Sequence, residues 1–248
     1  MDRSRSRLRQ ARLPPLSRVD REAVFVLHRR AWRDTSLIIE LLSRTHGRIA
    51  GVARGARSAR SAFFGLSEPF RALEASWTRR GEMATLTGLD PAGPARRLSG
   101  RAMWCGLYAN ELVLRLTPRD DPDADIFDAY ARLLPELAIP ARQSNALRRF
   151  ELALLQAIGV APDLAFSGES GEPVAAGMRY RVDPVGGPVP VADHRDGIQG
   201  SVLLALADGR DVPAGDDAAA LRLMRKLIEH QLDGRKLNTP AFFRENPS

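Results

Sequence analysis

The stretch AVFVLHRRAWRDTSLIIELLSRTHGRIAGVARGARSARS, residues 23–61, decides the fold class of this chain. It contains three short apolar runs of the length of β-strands, at residues 23–28, 36–42 and 48–53. Gly47 stands between the second and third runs, after a Thr-His pair, where it favours a hairpin turn. The stretch therefore predicts three consecutive β-strands.

Two further strands are predicted before the pattern changes. In residues 70–77, every second position from Arg71 to Trp77 shares one face, and residues 83–87 follow a turn signal at an Arg-Arg-Gly triplet. Five short strands within about 70 residues suggest a small Greek-key barrel, of which the oligonucleotide/oligosaccharide-binding (OB) fold is one type. Periodicity alone leaves an SH3-like barrel open as the alternative.

The period becomes helical after the fifth strand. Apolar residues recur at helical spacing in three segments, which end at Pro118, at the prolines within 135–140 and at Gly159. Residues 159–200 are rich in glycine and proline, with a short strand predicted at 178–182, and further helical patterns follow. The predicted fold class is α+β: an N-terminal five-stranded OB-fold β-barrel followed by a mainly α-helical C-terminal domain.

The same patterns divide the chain into three parts. Residues 1–20 form an Arg/Ser-rich extension that we expect to be disordered, and residues 21–90 form the predicted OB-fold domain. Residues 91–248 form the helical domain, with its irregular insertion at about 159–200. The extension lacks the apolar region of a secretory signal.

Charge is distributed unequally between these parts. The whole chain carries a formal net charge of +7, and 35 of its 37 basic residues are arginine. Residues 1–88 hold 18 arginines against 8 acidic residues, a net charge of +10, whereas residues 89–248 have a net charge of −3. A polyanionic partner is therefore predicted for the first part.

Several classes of protein are excluded. No stretch approaches the 18 consecutive apolar residues that would predict a membrane-spanning helix. A single cysteine, Cys105, allows no internal disulfide and suits the reducing cytoplasm. Neither a Walker motif nor a Gly-x-Gly-x-x-Gly fingerprint is present, and the four histidines have no metal-ligand spacing. We therefore expect no cofactor, no metal and no enzymatic activity, and a buried, inert thiol at Cys105.

Residues 41–67 carry the strongest functional signal, because they contain five arginines and no acidic residue. Their centre, ARGARSARS at residues 53–61, presents guanidinium groups about every three residues, and Trp32 lies among further arginines. Arginines interleaved with aromatic residues are typical of single-strand binding. The residues predicted to bind the nucleic acid, which the family resemblance given below implies to be DNA, are Arg30, Arg33, Arg48, Arg54, Arg57 and Arg60. The alternative is a solvated arginine-rich loop, and we expect Phe63 and Phe64 to pack in the core.

A second candidate site lies in ALRRFELALLQAIG, residues 146–159. Arg148 and Arg149 stand side by side on a predominantly apolar helix, where they could clamp the carboxylates of a partner beside a pocket for an aromatic side chain. An equally good interpretation is that both arginines are solvated and bond neighbouring carboxylates such as Glu151 or Glu111.

Together these segments resemble the bacterial DNA repair protein family RecO. The matching pieces are residues 23–61, RGEMATL at 80–86, GLYANELVLRL at 106–116, ALRRFELALLQAIG at 146–159 and GEPV at 171–174. The resemblance covers about residues 23–242 in consistent order. It implies an OB barrel followed by a helical domain, which is the architecture already predicted from the strand and helix patterns.

The resemblance also implies a function. RecO proteins bind single- and double-stranded DNA, anneal complementary strands and contact the single-stranded DNA-binding protein (SSB). With RecR they help RecA to displace SSB in recombinational repair. The acidic C-terminal tail of SSB docks on the helical domain, which implies tail-binding roles for Arg148 and Arg149. Many members bind zinc through four cysteines in the insertion; this chain has none there, so it resembles the zinc-free branch.

The resemblance thus implies a recombination mediator associated with the nucleoid, and the residues themselves predict a cytoplasmic protein without enzymatic activity. Two alternatives remain open on the residues alone. One is a protein-interaction adaptor whose basic barrel meets an acidic protein surface, and the other is an RNA-binding OB protein, because arginine loops do not themselves select the sugar.

Overall fold

The computed structural model describes residues 17–94, 97–191, 197–213 and 215–239. Five strands come first: β1 (Ser17–Trp32), β2 (Ser36–Ser43), β3 (Gly47–Ala53), β4 (Ala72–Arg79) and β5 (Ala84–Pro91). They pair in the order β1-β2-β3-β5-β4, and β4 pairs back onto β1, so the barrel closes. The pair β3–β5 is parallel and the others are antiparallel. The predicted five-stranded OB-type barrel is confirmed.

Strand β1 begins earlier than the hydrophobic pattern predicted. Ser17 pairs with Arg79 and Val19 with Trp77, so the start of β1 extends the ladder with β4. Residues 17–20, predicted as the end of a disordered extension, belong to this strand because backbone pairing with β4 holds them. Residues 1–16, the rest of that prediction, lie outside the described residues.

Strand β2 joins two hydrophobic cores, and every one of its residues is buried. Side chains alternate between the two faces of a strand. Ile39 and Leu41 share the barrel core with Trp77. Leu42 belongs to the second core, with Phe25, beneath the helices. Because both faces of β2 are buried, residues 37–42 are all apolar except Glu40.

The remaining elements form the predicted helical domain. They are α1 (Gly100–Leu116), α2 (Ala124–Leu137), a 3-10 turn (Pro140–Arg142), α3 (Gln143–Ala157), β6 (Arg179–Asp183), β7 (Gly187–Pro190), β8 (Ile198–Gln199), α4 (Gly200–Ala207) and α5 (Asp217–Leu232). The Gly/Pro-rich insertion contains the predicted short strand as β6. It also contains β7 and β8, which complete a three-stranded sheet that the sequence did not indicate.

A buried hydrogen-bond chain ties the barrel to the helices. The side-chain amide of Asn110 on α1 donates to the carbonyl of Leu27 on β1 at 2.8 Å. The hydroxyl of Tyr130 on α2 donates to Oδ1 of Asn110 at 2.5 Å, and the Tyr130 ring packs on Phe25 with ring centroids 5.0 Å apart. Because these polar groups are buried and paired, they fix how the two parts pack against each other.

The β2–β3 hairpin rests on the helical domain. Gly47 has φ +68°, and a Cβ atom there would lie 2.2 Å from the carbonyl oxygen of Asp121, so only glycine fits this approach. Nearby, the guanidinium of Arg44 lies 2.8 Å from the carboxylate of Asp128. The opposite end of β2, about 25 Å away along its eight residues, carries the β1–β2 turn.

Candidate nucleic-acid interface

The segment between β3 and β4, residues 54–71, is folded against the β1–β2 turn. The backbone N–H of Arg57 donates to the carbonyl of Thr35 at 3.0 Å, and its guanidinium donates to the carbonyl of Asp34 at 2.9 Å. Successive turns within the segment follow, including a hydrogen bond from Ser61 N–H to Ser58 O at 2.9 Å. These bonds place the ARGARSARS stretch at the same end of the barrel as the turn.

Five predicted DNA-binding residues lie at this end of the barrel and share one electrostatic property. All five are exposed, and in the described part of the chain no carboxylate lies within 4.0 Å of any of their guanidinium groups. We call them the arginine patch: Arg30, Arg33, Arg54, Arg57 and Arg60. Since nearby acids do not neutralise it, the patch presents concentrated positive charge to solvent.

Arg48, the sixth predicted DNA-binding residue, lies in a different environment. It is on β3, near the hairpin that rests on the helices, and its guanidinium donates to the carbonyl of Thr117 at 2.9 Å. It also lies 3.5 Å from the carboxylate of Glu40, which Arg119 contacts as well. Burial lowers the pKa of the Arg48 guanidinium. These contacts hold the barrel against the α1–α2 connection; a role for Arg48 in DNA binding stays a prediction.

Two aromatic residues near the arginine patch are exposed. Trp32, at the end of β1, is 38% exposed, and Phe64 is 62% exposed. Phe63 packs in the barrel core, as the sequence predicted. The same prediction was wrong for Phe64, because the turn at residues 61–66 directs only one of the two adjacent rings inward.

Arg148 is buried, at 4% exposure, in the core between the helices. Its guanidinium donates to the carboxylate of Glu151 at 2.6 Å, and the hydroxyl of Tyr108 donates to the same oxygen at 2.8 Å. Burial raises the pKa of Glu151 and of the Tyr108 hydroxyl. The proposed bond to Glu151 is therefore present, but in the interior and not on a solvated face. Glu111 instead accepts from backbone N–H groups at residues 238 and 239.

Arg149 is the more accessible of the two adjacent arginines. Its guanidinium contacts the carboxylates of Glu136 and Asp211. Beside it is a cavity of about 290 Å³ with a largely apolar wall, and Arg132 on α2 also lines it. The sequence did not lead us to predict Arg132. Its position four residues before Glu136 places both side chains on the same face of α2.

Within the described ranges, no group of three or more His, Cys, Asp or Glu side chains is placed to hold a metal ion. No helix among these residues has the length and apolar character needed to cross a membrane. Cys105 is buried, as predicted, and burial raises the pKa of its thiol.

Two family models match the chain and together span most of it. The one described as Recombination protein O N terminal matches residues 19–95, which include the whole barrel except its first two residues. The one described as Recombination protein O C terminal matches residues 97–240, which include the helical domain.

Curated relatives match over nearly their full length. A DNA repair protein RecO from Methylococcus capsulatus is 42% identical over 230 residues, covering 93% of this chain and 95% of that protein. One from an Azoarcus species is 40% identical over 234 residues, covering 92% and 96%. One from Stenotrophomonas maltophilia is 40% identical over 228 residues, covering 89% and 95%.

Proposed function

The chain belongs to the RecO family of DNA repair proteins, and from this premise we propose that it binds single-stranded DNA and anneals complementary strands during recombinational repair. It acts as a mediator without enzymatic chemistry, in the cytoplasm where the nucleoid lies. Duplex DNA is a second ligand, bound through the same phosphate backbone.

The arginine patch is the observation that carries this proposal. Its five guanidinium groups are exposed, lack carboxylate partners among the described residues, and stand at one end of an OB-type barrel. Guanidinium groups bind phosphate oxygens in a bidentate geometry. The β1–β2 region of OB folds is a frequent binding site for oligonucleotides. An unneutralised arginine cluster in this position therefore favours a phosphate backbone as ligand.

Annealing follows from charge neutralisation. Two single strands repel each other through their phosphates, and cations bound along each backbone reduce this repulsion. Because guanidinium–phosphate contacts leave the base edges free, strands held on the arginine patch can still form base pairs. The reaction is downhill in free energy and needs no nucleotide hydrolysis.

The remaining partners come from the family resemblance. We propose that the helical domain binds the C-terminal tail of SSB, which recruits the protein to SSB-coated strands. With RecR, the protein then helps RecA to replace SSB on these strands.

A binding and annealing experiment tests the proposed function. Fluorescence anisotropy with a labelled single-stranded oligonucleotide should give saturable binding that weakens as salt is raised, and SSB-coated complementary oligonucleotides should anneal faster with the protein than without it. Absence of binding at low salt would contradict the proposal and leave the adaptor interpretation. Binding of RNA in clear preference to DNA of the same sequence would favour the RNA-binding alternative.

Of the two arginines predicted to hold the SSB tail, Arg149 is the better placed. Arg148 is enclosed with Glu151, whereas Arg149 borders the 290 Å³ cavity together with Arg132. A tail that is acidic and ends in phenylalanine could place its ring in this cavity and its carboxylates on Arg132 and Arg149. The tail would then displace Asp211, whose side chain is mostly exposed, from the guanidinium of Arg149.

Replacing Arg149 with alanine should weaken binding of an SSB tail peptide by about 10- to 100-fold in calorimetry, because charge-assisted hydrogen bonds are lost. Single-stranded DNA affinity should not change. In the matched variant, Asp211→Asn, the peptide should bind a few-fold more tightly, because a competing carboxylate is removed. Unchanged peptide binding in both variants would place the tail elsewhere.

A further inference from the structure

We propose that Trp32 is a stacking site for one unpaired base of single-stranded DNA. This inference rests on the proposed DNA-binding function and deepens it, since it concerns how the chain distinguishes single strands from duplexes. The ligand is a nucleobase whose face is exposed, as in a single strand.

The position of Trp32 in the β1–β2 hairpin supports this inference. Residues 28–35 are all exposed, whereas every residue of β2 is buried. Trp32 pairs with Ser36 in the last ladder position before the turn. Its ring lies in neither of the two hydrophobic cores. Both hydrophobic cores are therefore complete without this large apolar ring, and 38% of the residue is open to solvent.

Two arginines of the patch flank the ring of Trp32. The Cζ atom of Arg30 lies 5.8 Å from the ring centroid and that of Arg33 lies 5.9 Å from it. Arg30 precedes Trp32 by two strand positions, so both side chains are on the same face of β1. Arg33 begins the turn with φ +52°, a left-handed conformation that is rare outside glycine. This conformation brings a second cation to the aromatic ring.

An indole flanked by unneutralised guanidinium groups matches the chemistry of a nucleotide. The base offers a π-face to the indole, and the two phosphates beside it offer oxygens to the guanidiniums. A stacked base is a stronger partner for indole than an exposed guanidinium, so the base displaces a guanidinium from the ring. The released cation remains within reach of the backbone phosphate. A duplex cannot bind in this way, because its bases already stack on one another.

Variants of Trp32 test the inference. Trp32→Leu should weaken binding of a single-stranded thymidine oligonucleotide by about 5- to 150-fold, the range found for loss of one base–aromatic stack. Its affinity for a duplex should be unchanged. Trp32→Phe should keep most of the affinity, because a phenyl ring still stacks. Since Trp32 belongs to neither hydrophobic core, both variants should stay folded at the temperature of the binding assay, which thermal unfolding checks.

Tryptophan fluorescence gives an independent measurement. The chain has three tryptophans, of which Trp77 is buried in the barrel and Trp104 lies on α1. Binding of the oligonucleotide should quench the emission of Trp32, and the quenching should disappear in Trp32→Phe although binding persists. An abasic oligonucleotide of the same length should bind the unsubstituted protein and Trp32→Leu equally well. Phe166→Leu, a matched change at an exposed aromatic residue of the helical domain, should alter none of these readouts.

The outcomes separate this inference from the function on which it rests. If Trp32→Leu weakens single-strand and duplex binding equally, without quenching in the unsubstituted protein, Trp32 only positions the arginines and the stacking site is wrong. If Trp32→Leu and the unsubstituted protein bind single-stranded DNA with equal affinity, the stacking inference is also overturned, but the proposed DNA binding stands. If no form of the protein binds DNA, the proposed function itself fails.

Discussion

Replacing Arg54, Arg57 and Arg60 together with alanine is expected to weaken binding of single-stranded DNA by about 100-fold at low salt. Each exposed guanidinium–phosphate contact accounts for about fivefold in affinity, and three are removed. The salt dependence should also become shallower. Because each phosphate contact on a single strand contributes about −0.7 to the slope of log K against log salt, the slope should change by about 2. Anisotropy titrations at several salt concentrations measure both effects.

Two control variants distinguish a local effect from a general loss of charge. A triple alanine variant at Arg142, Arg181 and Arg222 removes the same charge from exposed positions of the helical domain and should bind DNA almost normally. Because Arg57 also anchors residues 54–71 to the β1–β2 turn, Arg54→Ala with Arg60→Ala keeps this anchor and should still lose affinity. The assignment of the arginine patch to DNA binding is wrong if the variant with alanine at Arg54, Arg57 and Arg60 retains the original affinity and salt slope.

The barrel could be predicted because each of its central strands is an apolar run with a turn residue beside it. In β2 both faces are buried, so the hydrophobic signal is continuous, and Gly47 marks the next turn. The start of β1 could not be predicted, because residues 17–20 are held by backbone pairing with β4 and not by burial of apolar side chains. In the insertion only β6 was predicted. The strands β7 and β8 are four and two residues long, too short to show an alternating hydrophobic pattern.

The candidate interface was predictable where local sequence determines the environment. The five residues of the arginine patch lie in segments with few acids, and the structure brings no carboxylate to them within the described residues. The environments of Arg48 and Arg149 depend on groups distant in sequence, such as the carbonyl of Thr117 and the carboxylate of Asp211. Long-range packing decides these contacts, so neither residue type nor spacing reveals them.

Replacing Arg148 with alanine is expected to lower the free energy of unfolding by about 3–5 kcal/mol at pH 7, because it leaves the buried carboxylate of Glu151 without its cation. A loss of this size is a large part of the stability of a typical domain. Urea denaturation at neutral pH measures it. The companion variant, Arg148→Ala with Glu151→Gln, removes both charges, and the amide oxygen of the glutamine can still accept from Tyr108. It should regain most of the lost stability.

The loss in Arg148→Ala should shrink as the pH falls. Burial already raises the pKa of Glu151 in the folded protein, and removal of Arg148 raises it further. In the unfolded chain the pKa of Glu151 is about 4.3. At pH values between this and the higher folded pKa, Glu151 is protonated in the folded protein but ionised in the unfolded chain. Stability therefore increases as the pH is lowered through this window and decreases as it is raised. Equal destabilisation at pH 5 and pH 7 would contradict the buried ion pair.

The same pair of variants also tests whether Arg148 contacts the SSB tail. Because unfolding alone can abolish peptide binding in Arg148→Ala, the informative variant is the charge-free companion, Arg148→Ala with Glu151→Gln. If this companion binds the tail peptide again, Arg148 only positions α3; if binding stays lost, the guanidinium of Arg148 belongs to the tail site.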